Sequence, residues 1–240
     1  MHSSAEPVDF DTPDGGGWNP FNPDYVKGQG LLWSDIVLLP ETDTPSRFDR
    51  EADTRPPEVT ISDASIFMNQ RGFRRAGLQF REDANDGSPA STGVKTLHFS
   101  NVWHETAAYD ANQFNFQVGT IIGQESLPED TFKLLDRNNQ QVWSTPVATD
   151  GSWQNFALTL DFNQNTIQVW YSAGDAPLEK HGDAIWANLA GNGQHQIGML
   201  KKPTGTSDVA NSGYQSSNLN EGQIYGGIFI EDSADGCVST

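Results

Sequence analysis

The chain is short of several things, and each shortage closes off a class of protein. It has a single cysteine in 240 residues. Cys237 is therefore either a free thiol or bonded to a partner outside this chain, and no Cys/His set exists for a zinc site. Basic residues are scarce: 14 Lys and Arg stand against 32 Asp and Glu, for a net charge of -18. A surface of that sign repels nucleic acid and anionic lipid, because gripping phosphate takes clustered cations. No run of 18 apolar residues occurs, so no segment is built to cross a membrane as a helix. The opening "MHSSAEP" lacks an apolar stretch and reads as a processed start, not a signal peptide. There is no N-x-S/T sequon. Nucleophile-elbow and phosphate-cradling motifs are missing, and "HETAA" breaks the H-E-x-x-H zinc pattern at Ala108.

Large burying side chains and turn formers are present. Seven Trp and 13 Phe can fill one sizeable core although only 35% of the residues are hydrophobic. The 23 Gly and 13 Pro imply many turns. Helical periodicity is rare, and period-two alternation recurs. "WQNFALTLDF" sets Phe156, Leu158, Leu160 and Phe162 on one face; "NQN" at 163–165 turns the chain; "TIQVWYS" alternates again through Ile167, Val169 and Tyr171. The two form a hairpin. "VTISDASIFM", "RRAGLQF", "GVKTLHF", "QFNFQVGTII", "HQIGML" and "QIYGGIFIE" read as further strands, and "PEDTFKLLD" as a short helix. The expected fold is all-β: a β-jelly roll of two antiparallel sheets with a concave groove and few short helices. Residues 1–240 are expected to form one domain, in which the first 55 or so are a mostly irregular lead-in without a core of their own.

Strand parity then sorts side chains that could carry chemistry. In "NVWHE", Trp103 and Glu105 share a face, opposite Val102 and His104. Arg75, Gly77 and Gln79 oppose Ala76, Leu78 and Phe80. Gln113, Asn115 and Gln117 oppose Phe114, Phe116 and Val118. His98 opposes Leu97 and Phe99. Rings, amides and a carboxylate off the core are the composition of a saccharide groove: rings stack on sugar faces, amides bond hydroxyls and a carboxylate handles the proton. Each residue also has a plain structural reading. A strand Glu is more often a solvated surface residue, His98 and His195 more often structural, Trp103 a rim residue and Lys201 a turn flank. "IEDSADG" has carboxylates enough for a structural calcium but lacks the full loop spacing.

An ordered series of segments resembles glycoside hydrolase family 131, a fungal group of jelly-roll β-glucanases. It includes "PDYVKGQGLLWSDIVLLP", "GFRRA", "STGVKTLHFS", "VWHETAAYDANQFNFQVGT", "DTFKLLDRNNQQVWSTP", "WQNFALTLDFNQNTIQVWYS", "KKPTGTSD" and "NEGQIYGGIFIEDSADGC". The resemblance implies a secreted enzyme acting on β-1,3-, β-1,6- or β-1,4-glucans, through two glutamates on the concave sheet with a histidine and aromatic residues nearby. One glutamate corresponds to Glu105. The other falls where this chain has Gly77, which leaves Glu82, or an acid from a distant strand such as Glu231, as the second carboxylate. The family's longer excursion before "VWHE" is absent, since "HFSNVWHE" runs on directly. The site expected on these grounds has Glu105, Glu82 and His195 as catalytic residues, and Trp103, Arg75, His98, Gln117, Tyr225 and Lys201 against a glucan. It needs no cofactor, and the chain is expected to be monomeric. Two alternatives accompany this reading: a glucan-binding module that has lost a carboxylate, and a polysaccharide lyase, for which this acidic chain has few of the cations a uronate substrate requires.

Overall fold

The alternating segments fold as strands, and every pairing between them is antiparallel. The structure is a computed structural model that describes residues 6–11, 21–22, 26–41, 44–81, 89–102, 113–121, 123–191 and 195–240. In chain order the strands are β1 (Val37–Leu38), β2 (Glu58–Ser62), β3 (Arg74–Gln79), β4 (Val94–Val102), β5 (Phe114–Gln117), β6 (Thr131–Asp136) and β7 (Gln141–Pro146). They continue as β8 (Gln154–Asp161), β9 (Thr166–Ala173), β10 (Glu179–Lys180), β11 (Ile185–Trp186), β12 (Gln196–Lys201) and β13 (Asn220–Asp232). Helix α1 (Arg47–Ala52) is the one α-helix among the described residues.

A large sheet runs in the order β1-β2-β13-β4-β8-β9-β10, with β11 also paired to β9. Its β8–β9 hairpin is the one the sequence announces. The Asp161 carboxylate accepts the amides of Asn163 and Gln164, each at 2.9 Å, and Asn165 closes the turn at φ 56. Two small sheets, β3–β12 and β5–β6–β7, form the second layer. Two apolar cores lie between the layers. One joins Val59 and Ile61 of β2 and Tyr225 of β13 to Ala76, Leu78, Ile197 and Met199. The other joins Leu97, Phe99, Phe156, Leu158 and Val169 to Phe132, Leu134 and Trp143. Phe80 packs against both. The described lead-in is largely irregular in backbone, yet Phe10, Trp33, Ile36 and Val37 belong to the first core.

The segment read as a helix at 128–136 is strand β6. Phe132 and Leu134 alternate toward the core, and β5 and β7 pair with it on either side. A single helical turn gains little by itself, whereas a central strand has its backbone groups satisfied by both neighbours.

Residue parity also changes within β13. Its register on β4 shifts between Gly226 and Phe229, with Gly227 at φ 58. Tyr225 therefore faces the core before this bulge, and Ile228 and Ile230 after it. The bulge also lets α1 lie flat on the sheet. A Cβ on Gly226 would stand 2.6 Å from the Asp49 carboxylate and from Ser46, and one on Gly227 would stand 2.7 Å from the Phe48 Cβ. Asp49 is buried but fully engaged: it accepts from Ser46 Oγ (2.5 Å), Thr54 Oγ1 (2.7 Å) and the Gly227 amide (3.1 Å). Helix α1 thus seals the outer face of the large sheet over His98, Ala157 and Phe229.

Candidate functional site

The outer face of the second layer holds Arg75, Gln79, Asn115 and Gln117 from among the polar residues that the sequence singles out. On β3 and β12, Arg75 stands opposite Leu200, Gly77 opposite Gly198, and Gln79 opposite Gln196. These residues alternate with the core-facing Ala76, Leu78, Ile197 and Met199, so they point outward. The Arg75 guanidinium lies 5.4 Å over the Phe67 ring, and its Nη1 donates to Gln70 Oε1 at 3.4 Å. Both glycines flatten the middle of this face, for different reasons. A Cβ on Gly198 would stand 2.2 Å from the Ala76 carbonyl oxygen, so backbone packing demands glycine there. A Cβ on Gly77 would meet the Val26 Cβ at 3.7 Å, an ordinary contact, so nothing steric requires glycine at that position.

On the neighbouring small sheet, Asn115 and Gln117 oppose Phe114 and Phe116, as parity requires. Asn115 Nδ2 donates to Gln117 Oε1 at 3.0 Å. The Gln117 Nε2 is buried and has no hydrogen-bond partner. Directly across the strand pair is Lys133, fully buried, whose Nζ donates to the carbonyls of Thr131 (2.9 Å) and Gly119 (3.1 Å). Burial pushes the Lys133 ammonium pKa down, against the opposing pull of Asp130 and Glu129. The two small sheets meet where His195 approaches Phe114, with ring centroids 6.5 Å apart. His195 is buried on the core side of this junction, and its Nε2 lies 3.1 Å from the Ala90 carbonyl oxygen.

Three other expected ligand contacts lie elsewhere. Lys201, at the end of β12, pairs with Glu221 of β13 at the edge between the layers. Tyr225 points into the first core and donates its hydroxyl to the Gly198 carbonyl at 2.7 Å; burial raises its pKa. It braces the groove floor from beneath and offers no surface to a ligand. His98 faces away from the inter-layer core, as read, but onto the opposite side of the molecule. It is fully buried under α1, stacked on Phe229 with centroids 4.1 Å apart, and its Nε2 donates to Glu231 at 2.7 Å. Alternation says that a side chain leaves the core; it does not say by which of the two outer faces. Burial pulls the His98 pKa down, and the Glu231 hydrogen bond only partly offsets that. Burial alone would raise the Glu231 pKa, but the amide and hydroxyl of Ser239, each at 2.8 Å, and His98 together hold it below its ordinary value.

Trp103, Glu105 and Glu82 lie outside the described residues, as does the side chain of Val102. Reading the sequence alone missed Lys133 and Glu221. Lys133 was hidden by the helical reading of its strand, although the in-out order of Phe132, Lys133 and Leu134 is itself a strand signal. Glu221 carries no local signal, because its partner is 20 residues away in sequence. Among the described residues no group of three or more His, Cys, Asp or Glu could hold a metal ion. In "IEDSADG", Glu231 serves His98 and Ser239, Asp232 pairs with Lys95 at 2.7 Å, and Asp235 accepts the Cys237 amide at 3.0 Å. No helix among the described residues is long and apolar enough to cross a membrane.

Comparison of the sequence with curated proteins returned no match. Solved structures that share the fold include two family 131 catalytic domains. The catalytic domain of a family 131 β-glucanase from Podospora anserina superposes with a TM-score of 0.72 at 21% identity, covering 96% of this chain and 90% of its own. The catalytic domain of a family 131 protein from Coprinopsis cinerea gives 0.68 at 23% identity, covering 100% and 93%. The model of the glycoside hydrolase 131 catalytic N-terminal domain matches residues 1–236. With that match running almost the whole length of the chain, on a two-layer β fold with a polar outer face, the chain belongs to glycoside hydrolase family 131.

Proposed function

We infer that this glycoside hydrolase is a secreted, monomeric β-glucanase that cuts β-1,3-, β-1,6- or β-1,4-linked glucan with a pair of carboxyl groups. The observation that carries this reading is the family match over residues 1–236. Glu105 is the proton donor to the leaving glycosidic oxygen, and a second carboxyl acts on the opposite side of the sugar. Glu231 is a poor candidate for that second role, since both of its oxygens are engaged by His98 and Ser239 beneath the sealed face. Glu82 is therefore the better choice. Arg75 and Gln117 suit glucan hydroxyls on the outer face of the second layer, with Trp103 as a stacking ring. His195, buried at the junction of the two small sheets, sets their relative position. Because the outer face is lined by amides and one guanidinium rather than many cations, a neutral polysaccharide fits it better than a polyuronate.

The test is reducing-sugar release from laminarin, lichenan and carboxymethylcellulose. Release from at least one of them supports the reading. Retention on insoluble glucan without any release would leave a binding module, and activity confined to polyuronates would make the chain a lyase.

A further inference from the structure

Five tryptophans are described, and four of them are buried or half-buried; Trp186 is 69% exposed. Single exposed apolar side chains are common and need no explanation. The backbone that presents Trp186 does, because it is held from every side. Trp186 pairs with Thr166 across β11 and β9. The Ala187 amide donates to the Asn165 carbonyl (2.8 Å) and the Leu189 amide to Asn165 Oδ1 (3.0 Å). Gln113 Nε2 donates to the Leu189 carbonyl (2.6 Å), and Arg137 donates to the carbonyls of Asn188 (3.2 Å) and Ala190. A side chain with no role could sit on a loose segment, whereas the backbone under this indole is held and the ring is left facing solvent.

Its surroundings favour one kind of ligand. The neighbouring Ile185 packs into the second core, so Trp186 projects from the opposite, outer face of the large sheet. Thr166 shares that face, and the exposed Asn163 and Gln164 stand at the tip of the adjoining hairpin. Asp183 and Asn188, both exposed, flank the tryptophan in sequence. The hairpin turn at 163–166 and the segment 182–190 contain no Lys or Arg. A flat aromatic face rimmed by amides, a hydroxyl and a carboxylate matches a pyranose ring with its hydroxyls. The nearest cation, Arg137, is taken up by the Asn188 and Ala190 carbonyls, and with a net charge of -18 over the chain the surface does not match a polyanion.

We propose that Trp186 anchors a second glucan-binding site, on the side of the sandwich opposite Arg75 and Gln117. The proposal rests on the reading of the substrate as β-glucan. The site holds a neutral glucan chain against the enzyme while a different stretch of polymer occupies the groove. A flat ring with two side-chain torsions, carried on a held backbone, meets its ligand at a small ordering cost.

The experiment compares wild type, Trp186→Ala and Trp186→Phe. Retention is measured on curdlan and on cellulose, and turnover on laminarihexaose and cellohexaose. Trp186→Ala should lower retention on the bound polymer about ten-fold, as expected for losing the apolar area of one indole face. Its turnover of the short substrate should be unchanged, and Trp186→Phe should recover part of the retention. Equal retention by wild type and Trp186→Ala overturns the proposal. So does a parallel loss of retention and hexaose turnover, which would place Trp186 in the catalytic groove. If wild type turns over a hexaose but is retained on neither polymer, the second site falls and the glucanase reading stands. If wild type neither cleaves nor binds, both fall.

Discussion

The two outer faces of the sandwich look alike in sequence and differ in the structure. Both are strand positions that alternate with apolar residues and carry polar side chains. On the outer face of the large sheet the polar groups are short and bonded to one another. Thr96 Oγ1 meets Thr159 Oγ1 at 2.9 Å and Ser233 Oγ at 2.7 Å. Asn155 accepts from Ser100 Oγ (2.7 Å) and donates to Ser172 Oγ (3.0 Å) and to the Gly174 carbonyl (2.9 Å). This layer is closed by α1 and by Leu178. On the outer face of the second layer the groups are longer: Arg75, Gln79, Asn115 and Gln117, with Gln117 Nε2 unpartnered. Polar alternation alone therefore does not tell a sealed hydrogen-bonded layer from a face whose longer polar groups are only partly covered, Arg75 and Asn115 being half-buried and Gln79 and Gln117 buried. Side-chain length and the presence of a covering element separate the two.

The comparison is broken if chemistry turns out to depend on the sealed side. The largest effect should come from Glu105→Gln, which keeps the shape and removes the titrating proton. Release of reducing sugar should fall by on the order of 10² or more, with glucan affinity and thermal stability close to wild type. An unchanged rate would remove Glu105 from the mechanism.

Asn155→Ala tests the sealed face. It strips partners from Ser100, Ser172 and the Gly174 carbonyl at a fully buried position, and should cost about 2–4 kcal/mol in urea unfolding. Activity per folded molecule should not change. A loss of rate at full stability would show that the two faces are not functionally separate.

Acid gives a gentler probe of the same face. Burial pulls the pKa of the folded His98 below the ordinary value, whereas in the unfolded chain it binds a proton near pH 6.5. Its contribution is therefore fully present above that pH and is lost as the pH falls toward the folded pKa, with a slope of no more than about 1.4 kcal/mol per pH unit for one proton. Glu231, whose pKa is lowered, adds a loss in the same direction at more acidic pH. Denaturant midpoints at pH 7.5 and 5.5 should differ in wild type and converge in His98→Gln. A persistent difference would assign the acid sensitivity to another group.

The smallest effect belongs to the rim. Lys95 and Asp232 pair at 2.7 Å with the carboxylate largely exposed, and Asp232→Asn should leave the unfolding temperature unmoved by calorimetry.

What could be read from the sequence follows from the range of the interactions involved. The β8–β9 hairpin was legible because its whole logic lies within "WQNFALTLDFNQNTIQVWYS". Strand β6 was misread although Phe132, Lys133 and Leu134 alternate, because so short a run is ambiguous between helix and strand and pairing with β5 and β7 decides it. Tyr225, expected against a glucan, lies in the core with its hydroxyl on the Gly198 carbonyl, and the bulge at Gly226–Phe229 then reverses the alternation of the residues that follow it. His98 left the core as expected, but the choice of outer face was made by α1, some 50 residues upstream, which no local pattern reports. Arg75 and Gln117 came out on one side because their strands are regular.

The place of β13 in the large sheet also governs how the molecule assembles. The last strand in chain order is inserted between β2 and β4 rather than added at an edge. Until residues 220–232 arrive, β2 and β4 each lack one neighbour, and their unpaired amides and carbonyls remain open to any extended chain. On the ribosome this interval lasts while the whole stretch between β4 and β13 is made. The sheet closes only through contacts between residues far apart in sequence, as between Lys95 and Asp232. Folding of this chain is accordingly a late, slow event in the range typical of non-local β topologies, about milliseconds to seconds. During that time the two unfilled edges are where it is most exposed to aggregation.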